Sequence, residues 1–239
     1  MESLEIVYQD GDCIAINKPP GLLVHRTSLD TRATEFAMQI LRDQIGRLVY
    51  PVHRLDRPTS GILLFALSSE CAKLLVEQFV ERTISKTYVA FVRGFSPDEG
   101  SFESALKDKP NAFSDTRLLE RERDARTDFR TTARYELPFS DGRHPTSRYS
   151  LMEIIPRTGR RHQIRRHLKR AAHPIVGDTT HGDHRHNKRL HQRFGLSRML
   201  LAATKLEFEH PRTGQELVLT ANRGGEFDSL LGEIGENAT

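Results

Sequence analysis

Three segments of the chain concentrate ionisable side chains of the kind that catalyse reactions. They are residues 17–25 (NKPPGLLVH), 53–61 (HRLDRPTSG) and 159–167 (GRRHQIRRH). The middle segment places the carboxylate of Asp56 among arginines, and a carboxylate can serve as a nucleophile or as a general base. A guanidinium beside such a carboxylate would keep it ionised, because an adjacent positive charge lowers its pKa. An aspartate before Arg-Pro-Thr-Ser-Gly is also typical of a plain turn cap, however, so the segment alone does not decide between the two.

Positive charge is concentrated in one stretch of the chain, residues 157–193. This stretch contains eleven Lys and Arg residues against two acidic residues, a local charge of +9 that leaves −5 for the rest of a chain whose net charge is +4. Seven of the eleven histidines lie in the same stretch. A concentration of this kind is typical of a nucleic-acid-binding protein, and the alternative is a solvated helix face.

Together, the three segments resemble the RluA-like family of pseudouridine synthases. HRLDRPTSG matches the family's catalytic-aspartate motif, HRLDxxTSG, at every fixed position. GRRHQIR resembles the family's GRxHQIR segment, and Ser85-Lys86-Thr87-Tyr88 resembles its Lys-x-Tyr segment. The order of the segments also agrees, and the resemblance extends over about residues 4–214. It implies an enzyme, an isomerase that converts uridine in RNA to pseudouridine.

The resemblance also implies catalytic roles for three residues. Asp56 is the catalytic carboxylate, Arg165 is the cation that keeps it ionised, and Tyr88 stacks on a uracil swung out of the RNA. The reaction breaks the N1–C1′ bond and rejoins the base through C5 without a change of oxidation state, so no cofactor is expected. The sequence leaves open whether Asp56 attacks C1′ or removes the C2′ proton. Two alternatives also stay open: Arg165 could be one more contact to RNA phosphate, and Tyr88 could be an ordinary aromatic residue of a β-strand.

Further basic residues are predicted to bind the RNA. Arg54 is expected to enter the RNA stack in place of the flipped base, with a structural role as the alternative. The other predicted RNA contacts are Arg57, Arg160, Arg161, His162, Arg166, Lys169 and Arg170. Within the family the likeness is greatest to members that act on tRNA, which predicts tRNA as the partner and the uridine conventionally numbered 65 as the target. The alternatives are an rRNA-modifying member of the family and an inactive RNA-binding or chaperone protein.

No metal site is expected. The cluster at residues 181–186 (HGDHRH) lacks the spacing of a zinc protease or a two-metal hydrolase, and its arginine would oppose a cation, so we interpret it as a polar loop that contacts RNA phosphate. Cys13 and Cys71 are the only cysteines and are expected to be small core residues. No apolar run approaches a membrane span and no signal peptide is apparent, so we expect a cytoplasmic monomer without a membrane partner.

The periodicity of the chain favours an α+β fold with a largely antiparallel mixed sheet, and no glycine-rich phosphate loop follows any predicted strand. The resemblance implies that residues 1–239 form a single catalytic domain, with two lobes, a central active-site cleft and no separate N-terminal RNA-binding domain. Residues 96–132 are predicted to be a long loop or a lobe insertion, and the acidic tail is left unassigned. Strands are predicted within 4–21 (a hairpin), 61–67, 88–92, 149–155, 199–208 and 216–219, and helices from 34 to 46, after Ser68 or Ser69, and at 162–173.

One position departs from the family pattern. Family members often carry a histidine in a late Leu-His-Ala strand, where this chain has Leu201-Ala202-Ala203. In the family this position is usually treated as part of the substrate lining, so the resemblance predicts altered contacts to the base but the same reaction.

Overall fold

The computed structural model describes residues 3–26, 34–107, 122–140 and 142–236, and their contacts divide the chain into two units. Among these residues, the first unit contains those up to Thr87 together with Ala203–Asn222. The second unit contains residues 88–107, 122–202 and 223–236. Two strands therefore have residues in both units, and each unit is considered by itself below.

The first unit contains antiparallel strands with a buried apolar core. Strand β4 is buried along its whole length, as expected for an apolar run covered on both faces. The strands are β1 (Glu5–Gln9), β2 (Cys13–Lys18), β3 (Tyr50–Pro51), β4 (Ser60–Ala66), the end of β11 (Leu201–Glu209) and β12 (Glu216–Thr220). Antiparallel pairs join β1 to β2, β2 to β4, β3 to β4 and β11 to β12. The predicted opening hairpin and the predicted late strands are confirmed.

Two helices of the first unit follow the local signals in the sequence. Helix α1 (Ala37–Ile45) ends at Gly46, whose φ of 65° is left-handed and suits glycine. Helix α2 (Ser69–Glu81) begins after Ser68, whose hydroxyl accepts a hydrogen bond from the backbone N–H of Cys71 at 3.1 Å. Both cysteines are buried with free thiols in the same apolar cluster, as predicted.

The second unit contains a second antiparallel arrangement, in the order β5, β10, β9, β6. The strands are β5 (Ser85–Arg93, from Tyr88 onward), β6 (Glu99–Glu103), β9 (Arg126–Leu137) and β10 (Ser147–Pro156), with β7 (Leu106–Lys107) and β8 (Glu122–Arg123) forming a small separate pair. For residues 96–132 the prediction of one long loop is wrong, because most of the described part of that stretch forms β6, β7, β8 and the start of β9. Its periodicity is weak because a polar residue, Thr127, occupies the buried face, while many outward residues are charged. Residues 108–121 of that prediction lie outside the described residues.

Three helices complete the second unit: α3 (Gln163–Arg170), α4 (His184–Phe194) and α5 (Gly225–Glu236). Helix α3 is shorter than predicted. Helix α4 begins inside the polar loop predicted for residues 181–186, because the side chain of Asp183 accepts backbone N–H bonds from Arg185 and His186 at 3.1 Å each and so caps its first turn. The loop prediction is therefore wrong from His184 onward. Helix α5 lies in the unassigned tail and buries Phe227 in the core.

The α+β class and the largely antiparallel strand pairing are thus confirmed. Ala202 is completely buried in an apolar cluster with Phe91 and Leu200, so in this chain the position is part of a core. Among the described residues, no helix is both long enough and apolar enough to span a bilayer.

Candidate active site

Asp56 lies in the first unit, in a loop that we call the aspartate loop (residues 53–61). Its backbone carbonyl accepts a hydrogen bond from the N–H of Thr59 at 3.0 Å, which closes a turn around the two intervening residues. Leu55 and Thr59 are buried, whereas Arg54 and Arg57 are exposed and the side chain of Asp56 is half-buried. Leu55 and Thr59 therefore anchor the loop, while Asp56 between them stays partly accessible.

The histidine that begins the aspartate loop is structural. His53 Nε2 accepts a hydrogen bond from the backbone N–H of Leu64 at 2.9 Å, and its ring stacks on Phe79 with 4.8 Å between ring centroids. Burial, together with the nearby charge of Lys86, lowers the pKa of His53 from 6.5 to about 3. His53 is therefore a neutral hydrogen-bond acceptor at neutral pH.

The glycine that ends the aspartate loop allows a close approach of two strands. Gly61 has a φ of +107°, a conformation that other residues rarely adopt. A Cβ atom there would lie 2.1 Å from the carbonyl oxygen of Ala203. The Thr-Ser-Gly end of the motif thus fixes the loop onto β4 and β11.

A buried lysine joins the first sequence segment to the aspartate loop. Lys18 is 0% exposed, and its ammonium donates hydrogen bonds to the carbonyl oxygens of Pro19 (2.8 Å), Leu22 (2.9 Å) and Arg57 (3.3 Å). The N–H of Gly21 donates to the same Arg57 carbonyl at 2.8 Å, and Arg57 Nε donates back to Gly21 O at 2.9 Å. The Asn-Lys-Pro-Pro-Gly segment is therefore the structural support of the loop.

Arg165 lies in the second unit, on α3, and is 3% exposed. Its Nε and Nη2 donate to the two carboxylate oxygens of Asp178, at 2.7 and 2.9 Å, and Asp178 is 1% exposed. Burial raises the pKa of Asp178, but the hydrogen bonds from Arg165 and from the backbone N–H groups of Thr180 and His181 outweigh it, so the pKa lies below its ordinary value. Sequence reasoning missed Asp178. The available signal was that it is one of only two acids in the basic stretch.

Tyr88 is on β5, where it pairs with Ile154 of β10, and it is half-buried. Its side chain packs against an apolar cluster that includes Ile164 and Leu168 of α3. The structure therefore places Tyr88 and the helix that carries Arg165 around one core of the second unit. Asp56 belongs to the other unit.

Besides Arg57, three of the predicted RNA-binding arginines donate to the protein itself. Arg166 Nη1 donates to Lys107 O at 3.0 Å, Arg170 Nη1 donates to the carbonyl of Ala105 at 3.1 Å, and Arg160 Nε donates to Asp124 O at 3.4 Å. These bonds connect the α3 region to β7 and to residues next to β7 and β8. Not every positive residue of α3 faces outward, since Arg165 is buried.

The remaining predicted RNA contacts of this region are more open. Arg161 and Lys169 are exposed and make no hydrogen bond or ion pair with any other described residue. His162 adopts a left-handed backbone with φ 53° at the start of α3, and its Nδ1 lies 2.9 Å from Nε2 of His181. Arg161 and Lys169 are therefore the α3-region cations best placed to meet a phosphate.

Helix α4 presents a second basic surface, and only its first turn falls in the segment predicted to be a loop. Its buried face consists of His186 and Leu190, and Arg185, Lys188 and Arg193 are exposed. The first turn contains no acidic residue, although the positive end of a helix dipole favours acids there. Apart from the cap residue Asp183, the start of α4 thus presents cations to the exterior.

One group of possible metal ligands lies in the first unit but does not fit a metal. Donor atoms of Asp10, Cys13 and His210 lie within 4.8 Å of one another. His210 Nδ1 accepts backbone N–H bonds from Arg212 (3.2 Å) and Thr213 (3.1 Å), so the ring proton is on Nε2, which donates to Asp10 at 2.9 Å. Burial and the nearby carboxylates raise the pKa of Cys13 to about 12. A protonated thiol and a protonated Nε2 are not metal ligands.

Known proteins resemble this chain over most of its length. Residues 12–170 match the family model described as RNA pseudouridylate synthase. A tRNA pseudouridine synthase C of Vibrio parahaemolyticus is 51% identical over 231 residues, which cover 95% of this chain and 94% of that protein. A tRNA pseudouridine synthase C of Haemophilus ducreyi is 46% identical, covering 99% of this chain and 98% of that protein. The solved structure of human RNA Pseudouridylate Synthase Domain Containing 1 has a TM-score of 0.71 at 26% identity, covering 92% of this chain and 84% of that one.

Proposed function

Because the chain belongs to the RNA pseudouridylate synthase family, we propose that it converts one uridine of tRNA to pseudouridine, with Asp56 as its catalytic carboxylate. The observation that carries the choice of tRNA is the similarity, over nearly the full length of the chain, to relatives named tRNA pseudouridine synthase C. The two units together form the proposed catalytic domain, and the family match at residues 12–170 takes in parts of both. The proposed target is the uridine conventionally numbered 65.

The reaction is an isomerisation. The N1–C1′ bond breaks, a C5–C1′ bond forms, and the hydrogen lost from C5 is balanced by one gained at N1. No electron is transferred overall, so the chemistry calls for a carboxylate, a charge that keeps it ionised and a surface for the detached base. Asp56 supplies the carboxylate, either as a nucleophile at C1′ or as a base at C2′.

Arg165 and Tyr88 take the other two roles in this proposal. Arg165 is the cation that maintains Asp56 in its charged form, and Tyr88 holds the uracil by stacking while it turns. The half-buried position of Tyr88 supports this role, because a stacking ring needs one face supported by the protein and the other open.

The RNA must be bound and opened before the chemistry. A paired uridine has to leave the stack, which costs a few kcal/mol, and phosphate contacts together with insertion of Arg54 offset that cost. Arg54 is exposed on the aspartate loop and makes no hydrogen bond with another described residue, which suits insertion. We assign phosphate contacts first to Arg161, Lys169 and the α4 cations Arg185 and Lys188.

The test is to incubate the purified protein with total tRNA and with rRNA, and to map pseudouridine by carbodiimide modification and primer extension. A single new site in tRNA at position 65 is expected, and Asp56→Asn is expected to bind the same RNA but form no detectable pseudouridine. Modification confined to rRNA would refute the target. Substantial turnover by Asp56→Asn would refute the assignment of the carboxylate, and no product with either RNA would refute the activity.

A further inference from the structure

We infer that Asp178 is a positioning residue of the reaction, which sets the plane and direction of the Arg165 guanidinium. The inference rests on the proposed function, in which Arg165 serves the catalytic carboxylate. Nothing in the family resemblance pointed to Asp178, and it follows from contacts within the second unit alone.

The geometry of the ion pair restricts Arg165 to one orientation. A guanidinium is planar, and its Nε and Nη2 share one edge that a carboxylate can occupy with two parallel hydrogen bonds. Asp178 occupies that edge, at 2.7 and 2.9 Å. Rotation about the terminal bonds of Arg165 would break both hydrogen bonds, so the edge that carries Nη1 points in a fixed direction.

Asp178 also accepts four further hydrogen bonds. Its Oδ1 accepts from the backbone N–H groups of Thr180 at 2.8 Å and His181 at 2.9 Å. Its backbone carbonyl accepts from the N–H of Gly182 at 3.1 Å and from Asn187 Nδ2 at 3.0 Å. The side chain and the main chain of Asp178 are therefore fixed separately.

Two glycines allow the backbone around Asp178 to pack closely against neighbouring carbonyl groups. Gly177 has a φ of +79°, and a Cβ atom there would lie 1.9 Å from Arg198 O. A Cβ atom at Gly182 would lie 2.1 Å from Asp178 O. Gly177 N–H also donates to Asn187 Oδ1 at 3.0 Å. The amide of Asn187 therefore accepts from Gly177 and donates to the carbonyl of Asp178.

This support exceeds what charge neutralisation needs. A buried ion pair contributes little to stability compared with apolar residues of the same volume, because both charges lose their hydration. Its retention, with six hydrogen bonds converging on Asp178, indicates that the orientation of Arg165 is the property being maintained.

Charge and orientation predict opposite results for one substitution. Asp178→Asn removes the negative charge that partly cancels Arg165, so a role through charge alone would leave the reaction as fast or faster. The same substitution places an amide N–H₂ against a guanidinium nitrogen and lets the side chain turn, so a role through orientation predicts a slower reaction. The measurement is the single-turnover rate on tRNA, with the RNA dissociation constant measured in parallel.

We expect Asp178→Asn to lower the single-turnover rate about 100-fold, the scale on which small misplacements act, while the dissociation constant changes less than about threefold. An unchanged rate, or a loss confined to RNA binding, would overturn the inference. Failure of the proposed function would look different, because the unaltered protein would then form no pseudouridine.

A double-mutant cycle separates this role from a general loss of structure. If Asp178 acts through Arg165, Asp178→Asn should add little to the slowing already caused by Arg165→Met. A merely structural residue would slow the enzyme by the same factor in both backgrounds, and that result would overturn the inference.

Asn187→Ala supplies a second variant in which neither charge is altered, should Asp178→Asn fold poorly. It removes the hydrogen bond to the Asp178 carbonyl, and we expect a rate about three- to tenfold lower. Its effect should also vanish in the Arg165→Met background. A wild-type rate for a folded Asn187→Ala protein would count against the inference.

Discussion

Lys18 in the first unit and Asp178 in the second are both buried charges, but they support the proposed catalytic residues in different ways. Lys18 donates to three backbone carbonyls, one of them in the residue after Asp56. Asp178 binds the side chain of Arg165 directly. The first arrangement sets the path of a loop, and the second sets the direction of one side chain.

The difference has a physical reason. Asp56 has a short side chain, so its carboxylate is placed once the backbone of the aspartate loop is placed. Arg165 has four rotatable bonds before its guanidinium, so a fixed helix leaves its charged end undefined until a partner binds it. Loss of Lys18 should therefore affect folding first, and loss of Asp178 should affect catalysis first.

The largest effect that tests this contrast is expected from Lys18→Met. Three backbone carbonyls would lose a charged donor, and at roughly 1–2 kcal/mol each the free energy of unfolding should fall by about 3–5 kcal/mol. Urea denaturation measures it, with the exposed Lys73→Met on α2 as the matched control, expected within about 0.5 kcal/mol of the unaltered protein. Equal midpoints for the two variants would remove the contrast.

The next effect concerns pH and His53. The pKa of its ring is lowered to about 3, whereas the unfolded chain has the ordinary 6.5, so only the unfolded state takes up a proton between these values. The stabilisation is complete above pH 6.5 and is lost as the pH falls towards 3. From pH 7 to pH 5 the loss should be roughly 2 kcal/mol.

His53→Gln provides the comparison, since its amide oxygen can still accept from Leu64 N–H but does not titrate. We expect the variant to lose that much less stability than the unaltered protein between pH 7 and pH 5, as measured by denaturant titration at each pH. Identical pH dependence of the two proteins would show that His53 is not the titrating support of the aspartate loop.

A smaller effect is expected at Arg54, which belongs to the same loop but is exposed. Arg54→Ala should fold normally and slow turnover about tenfold on folded tRNA, because the gap left by the flipped uridine is no longer filled. An RNA with a mismatch opposite the target should recover part of the rate, since extrusion is then easier. Equal impairment on paired and mismatched RNA would reject insertion by Arg54.

The smallest effects separate two sets of cations within the second unit. Arg166 and Arg170 bind the protein, so replacing both by Gln should cost about 1 kcal/mol of stability. Arg185 and Lys188 on α4 should instead bind phosphate. Replacing both by Gln should leave stability unchanged and flatten the dependence of log affinity on log salt by about one to two units.

The measurements are thermal unfolding and filter binding of tRNA at several salt concentrations. The two double variants change the net charge equally, so each controls for the other. If both flatten the salt dependence to the same extent, hydrogen bonding within the protein does not decide which cations contact RNA.

Much of the fold was readable from local sequence signals. The first hairpin, helix α1 with its glycine stop and helix α2 with its serine cap depend on residues within one or two turns of each other. The match to HRLDxxTSG likewise lies in nine consecutive residues, which is why Asp56 could be proposed without a structure.

The sequence by itself therefore determined the α+β class, most of the elements and the family. Only the tertiary structure decided which charged side chains bind other parts of the protein. Arg170 binds Ser104 and Ala105, which are distant in the chain. Arg165 is oriented by Asp178, an acid that no motif marked. Helix α4 is a second example. Its charged sequence does not by itself indicate a helix, which is stabilised by the Asp183 cap and by the burial of Leu190 in an apolar cluster. The physical reason is that periodicity and capping act over a few residues, whereas the partner of a buried charge is chosen by distance in space.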